Sequence, residues 1–103
     1  MTDYIIKGDL ASVKFLHESG TPWSFMSTAH AVGEGIEMLK YVYENGASWS
    51  KYTIIYAVDY SVDILQYAHE NGAPYNIARL EKRIRDGTIT DPAIIEYINT
   101  KMK

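Results

Sequence analysis

The sequence contains no cysteine. That excludes disulfides and thiolate metal sites, and it is compatible with a reducing compartment without requiring one. Long apolar runs are missing too. None approaches the ~20 residues a bilayer crossing needs, and the first residues lack the basic-then-apolar layout of a signal peptide. The expectation is therefore a cytoplasmic chain with no membrane partner. Positive charge is scarce over most of the length. Residues 1–76 carry four lysines against nine acids, a net of −5, whereas residues 77–103 carry six basic and four acidic residues, a net of +2. A body that repels phosphate argues against broad nucleic-acid binding, which depends on lysine and arginine neutralising phosphates. What remains is an ordinary globular composition, 47% apolar and 22% charged over 103 residues, enough for one domain and one core.

What is present is a repeat. "HESGTPWS" at 17–24, "YENGASWS" at 43–50 and "HENGAPYN" at 69–76 are variants of one phrase, spaced 26 residues apart. The register extends on both sides without a gap. Leu10, Ile36 and Val62 align, as do Val13, Leu39 and Leu65, and Ile5, Ala31 and Ala57 precede them at the same step. Fixed-period self-similarity of this kind marks an architecture of stacked supersecondary units.

Each unit reads as two short antiparallel helices. Apolar residues at steps of three, as at 10, 13 and 16, give the second helix one buried face. Gly20, Gly46 and Gly72 stand where that helix ends in a left-handed turn, and Pro22 and Pro74 prevent its continuation. Ser24, Ser50 and Asn76 are suited to cap the next helix, over about residues 25–32 and 51–58 in the two middle units. The ends depart from the pattern. A stub from about Thr2 to Lys7 opens the chain, "IARLEKRIRDG" predicts a longer charged helix ending at Gly87, and Asp91 followed by Pro92 predicts a further helix start. The expectation is an all-α fold of about eight helices forming a single domain, with units at about 2–24, 25–50 and 51–76 and capping helices over 77–103.

With the repeat laid out, the chain resembles ankyrin repeats. "GDLASVKFLHESGT" at 8–21 is similar to that family's outer-helix consensus, "NGAPYN" at 71–76 to its following turn, and Ala31 and Ala57 to its small inner-helix residue. Two features depart from it. The period is 26 rather than 33, and the T-P-L-H opening is absent. The missing residues correspond to the projecting β-hairpin. "LKYVYENGASW" and "LQYAHENGAPY" resemble more closely a variant strung in long arrays in giant DNA viruses and some protists, although Thr21, Ala47 and Ala73 replace its usual cysteine. The resemblance implies an ankyrin-like α-solenoid of about four helix-turn-helix units without long β-hairpins and with atypical terminal caps. It also implies a non-catalytic protein-binding scaffold, in a viral setting one acting on a host factor in the host cytoplasm.

Searching for chemistry yields little. His17 and His69 are equivalent positions two units apart, on the order of 20 Å from each other if layers stack at the usual 8–10 Å, too far to share a metal ion. His30 has no ligand-forming neighbour at metal-site spacing. "GEG" at 33–35 follows a helix rather than a strand and lacks phosphate-cradle spacing, and Glu34 and Glu37 read as solvated. No catalytic residue, metal, cofactor or small-molecule substrate is expected, and the chain is not expected to be an enzyme.

Binding is the better prospect. Trp23, Trp49 and Tyr75 form a periodic ladder, either displayed to a partner or wedged between adjacent turns; strict periodicity favours the wedge, together with the glycines at 20, 46 and 72. Residues that differ between units are better specificity candidates. On the first helices of the units these are Phe25, Thr28 and His30 against Lys51, Ile54 and Tyr56, with Tyr52 and Tyr60 nearby, all taken as an exposed face for another protein. Arg79, Lys82, Arg83 and Arg85 on the capping helix, interspersed with Glu81 and Asp86, read first as a solvated face; the alternative is a basic docking patch for an acidic protein or, less favoured, for RNA. The alternative to a partner-binding scaffold is a structural component that associates with its own copies, as in a virion, since the open edges of repeat stacks are adhesive. Nucleic-acid binding through the basic helix is the weaker third reading.

Overall fold

The computed structural model describes residues 2–103. Every regular element among them is helical, as expected, and there are eight α-helices: α1 (Thr2–Ile6), α2 (Leu10–Glu18), α3 (Ser27–Val32), α4 (Ile36–Glu44), α5 (Thr53–Ala57), α6 (Val62–Glu70), α7 (Ile77–Asp86) and α8 (Pro92–Tyr97). A π-helical turn, Ile98–Met102, continues α8. No helix of the described residues is long and apolar enough to cross a membrane.

Contacts run along the chain order. α1 packs on α2 and α3, α3 on α4 and α5, α5 on α6, and α6 on both α4 and α8. The molecule measures 45 × 21 × 17 Å. One continuous apolar core threads it, from Ile5 through Val13, Leu39, Ile54 and Leu65 to Ile94 and Ile98. Ala31, Ala57 and Ala68 are fully buried there, where a small side chain lets helices approach closely.

The repeated helix ends share one geometry. Gly20, Gly46 and Gly72 have φ of +94°, +109° and +92°. In each case the glycine N–H bonds back three residues, and the next N–H reaches back five: Thr21 to the Leu16 carbonyl, Ala47 to Val42 and Ala73 to Ala68, at 2.9–3.1 Å. This paired closure satisfies carbonyls that a helix end leaves open.

The helix starts differ from the expectation in two units. Ser24 and Ser50 do not cap α3 and α5. Each accepts from the N–H two residues on (Met26 and Tyr52), and its carbonyl accepts from Ser27 or Thr53, so a separate turn precedes the helix proper. The helices therefore begin at 27 and 53. Asn76 caps α7 by accepting from Arg79 N–H, and Asp91 caps α8 by accepting from Ala93 N–H with Pro92 in the first turn.

Candidate functional site

The aromatic ladder is built into the joints between units. Trp23 Nε1–H donates to the Asn45 carbonyl at 2.9 Å, and Trp49 Nε1–H donates to the Asn71 carbonyl at 2.8 Å. The acceptor carbonyls are held out by their own side chains, since Asn45 Nδ2 donates to the Tyr41 carbonyl and Asn71 Nδ2 to that of Tyr67, both at 2.8 Å. Each indole lies flat on the residue six before it, His17 for Trp23 at 4.9 Å and Tyr43 for Trp49 at 4.1 Å. Edge-on contact follows with Tyr41 and Tyr67 of the next unit, at 6.4 and 6.3 Å. Lys14 and Lys40 cover the outer faces of those tyrosines at 5.4 and 5.5 Å.

A third copy closes the series with different residues. Tyr75 O–H donates to the Met102 carbonyl at 2.9 Å, and His69 contacts both Tyr75 and Tyr97 edge-on. His69 Nδ1 and the Tyr97 hydroxyl are 2.8 Å apart. Tyr97 takes the role of Tyr41 and Tyr67, but it follows Tyr67 by 30 residues rather than 26, so the period gives no sign of it. Burial, with the nearby Glu70 charge adding to it, pushes the Tyr97 hydroxyl above its ordinary value; Tyr67 is raised in the same way by burial and by Glu44.

The face formed by α1, α3 and α5 carries the other candidates, and the structure divides them. Thr28 and Ile54 are fully buried, 0% exposed, and so are not part of any exposed face. The reason is enclosure: α3 is six residues long with α1, α4 and α5 against it, so Ser27, Thr28 and Ala29 are all buried and a single narrow stripe is left uncovered. Along that stripe His30, Tyr56 and Tyr60 line a shallow groove of 380 Å³ with Ile6, an exposed residue of α1 that the sequence reading missed. Tyr60 crosses close over Gly33, where an added Cβ would meet its hydroxyl at 3.1 Å. Phe25, 81% exposed, sits in the turn before α3 and does not line this groove. Lys51 and Tyr52 belong instead to a second groove of 410 Å³ between α5 and α7. The rings of Tyr52 and Tyr56 stack at 6.3 Å, so the two grooves share an aromatic wall.

The four basic residues of α7 do not form one patch. Arg83 is turned inward: its guanidinium pairs with Asp59 at 2.8 Å and reaches the Ile55 carbonyl and the Thr88 hydroxyl. Lys82 pairs with Asp86 along its own helix at 3.5 Å. Arg79 lines the α5–α7 groove, and Arg85 faces the C-terminal turn beside Asn99.

No family model, no curated protein and no solved structure matches the chain.

Proposed function

We propose that this protein is a non-catalytic interaction scaffold, a short ankyrin-like solenoid that engages a partner protein through the face of α1, α3 and α5. The observation that carries the reading is the exposure of large apolar and aromatic side chains on that side, Tyr60 at 58% and Ile6 at 51%, with Tyr56 between the two grooves. Exposed aromatics of this size are costly in water and favourable as interface anchors. The joints support the scaffold half of the reading. Trp23 and Trp49 spend their N–H groups on the neighbouring turn, so the repeated residues hold units together and the non-repeated ones are left to read a partner. The nucleic-acid reading loses support from Arg83, which is already paired with Asp59.

The test compares affinity capture by the wild-type chain with capture by Phe25→Ser/Tyr56→Ser/Tyr60→Ser, after equal helicity and melting have been verified. The reading expects a protein retained by the wild type and lost with the variant. Equal capture by both would remove the face from consideration, and recovery of mainly the chain's own copies would favour the self-associating alternative.

A further inference from the structure

α5 meets α7 differently from the way α3 meets α5. At the first junction Thr28 Oγ1 accepts from Ser50 N–H at 2.9 Å, lies 2.9 Å from Thr53 Oγ1 and contacts the Ser48 carbonyl at 3.2 Å. Moving each member of this clip one repeat on gives Ile54, Asn76, Arg79 and Pro74. An isoleucine side chain neither donates nor accepts, so the clip cannot form again. Where it would have formed there is the 410 Å³ groove, and all four counterparts line it.

The groove keeps the polar groups that the clip would have used. Among the described residues, the Pro74 carbonyl and the Asn76 N–H have no intramolecular partner, whereas their counterparts at Ser48 and Ser50 are bonded. Lys51 and Arg79 add two positive charges, neither of them in an ion pair, and no carboxylate lines the groove. This positive site lies on a chain of net charge −3. Tyr52 and Tyr75 give it aromatic walls, and Ile54 and Leu80, both buried, underlie it.

We propose that the α5–α7 groove holds an extended acidic segment of a partner protein. A peptide backbone offers one N–H for the Pro74 carbonyl and one C=O for the Asn76 N–H, a pairing that main-chain recognition uses generally. Glutamate or aspartate side chains meet Lys51 and Arg79, and an apolar side chain lies against Tyr52. Nucleic acid fits less well, because two cations beside an acidic body do not make a phosphate track. The inference rests on the scaffold reading and names the chemistry of the partner.

The experiment is fluorescence anisotropy of the full chain with three labelled probes: a pool of short peptides alternating glutamate with leucine or tyrosine, the same pool with lysine for glutamate, and an oligo-uridylate. The acidic pool is expected to bind and the lysine pool not. Lys51→Glu/Arg79→Glu should weaken binding at least tenfold, roughly the loss of one charge-assisted contact. Ile54→Thr/Arg79→Thr re-creates the clip and should also abolish binding, its melting temperature being measured alongside so that loss of the groove is read apart from unfolding. Phe25→Ser/Tyr60→Ser should leave the acidic pool bound, so failure of the α1–α3–α5 face and failure of the groove are read separately. Equal binding of both peptide pools, no binding of the acidic pool up to about 1 mM, or oligonucleotide binding in its place would overturn the proposal.

Discussion

The hydroxyls of Thr28 and Thr53, 25 residues apart and both fully buried, lie 2.9 Å from each other at the junction of α3 and α5. A threonine hydroxyl has one proton and two lone pairs. Thr28 uses all three when it donates to the Ser48 carbonyl and accepts from the Ser50 N–H and from Thr53. No buried side-chain nitrogen or oxygen among the described residues lacks a partner.

Thr28→Val keeps the shape and strands the Ser50 N–H. Destabilisation of about 1–3 kcal/mol is expected, the cost of an unmet buried donor. Thr53→Val should cost less, because Thr28 keeps its two backbone contacts. Urea unfolding of both variants tests the order, and a larger loss at Thr53 would contradict the clip as described.

Trp49→Phe preserves a ring over Tyr43 and deletes the bond to the Asn71 carbonyl. The expected loss is about 0.5–1.5 kcal/mol, one net hydrogen bond. Trp23 then becomes the sole indole, so its emission during denaturation reports on the joint between α2 and α4. An unchanged denaturation midpoint would mean that the Asn71 contact contributes nothing.

Gly46→Ala tests backbone handedness apart from crowding. The nearest heavy atom to an added Cβ is Trp23 Nε1 at 3.9 Å, an ordinary contact, so the cost comes from φ of +109°. A loss of about 1–2 kcal/mol is expected. Gly33 has no positive φ, and Gly33→Ala should instead displace the exposed Tyr60 ring with little effect on the melting temperature. Similar losses at both positions would refute the distinction.

Alkali should loosen the last joint. Burial raises Tyr97 above the ordinary tyrosine value of 10.0, so the fold favours its neutral form. The stability this implies is fully present below that value and is lost as pH rises through the higher folded one. Melting curves from about pH 8 to pH 12 should fall less steeply for Tyr97→Phe than for the wild type. Parallel curves would separate Tyr97 from the alkaline loss.

The helix ends were legible because the residues that make them are few and local: a glycine with positive φ and an aromatic three residues on, recurring at one step. The faces of the short helices were not. Their starts are delayed by two residues by the turns over 24–27 and 50–53. Their burial depends on how many neighbours enclose them: α3 is packed by α1, α4 and α5, and α5 by α3 and α6, which buries Thr28 and Ile54. Ile6 is exposed although its counterparts at the repeat step, Val32 and Val58, are buried, and Tyr97 lies where the period stops; both belong to end elements whose packing is set by neighbours rather than by the repeat. Arg83 looked like its three basic neighbours in sequence; only the placement of Asp59, 24 residues earlier, separates it from them.

Among the described residues no side-chain hydrogen bond joins positions more than 28 apart; the longest tie Tyr43 to Asn71, His69 to Tyr97 and Arg83 to Ile55. Each clasp therefore closes a loop of nearly the same modest length, at nearly the same entropic cost. A nascent chain can complete one joint as soon as the next two dozen residues have been synthesised, without waiting for a distant strand or helix, and folding of this kind is fast because its contacts are local.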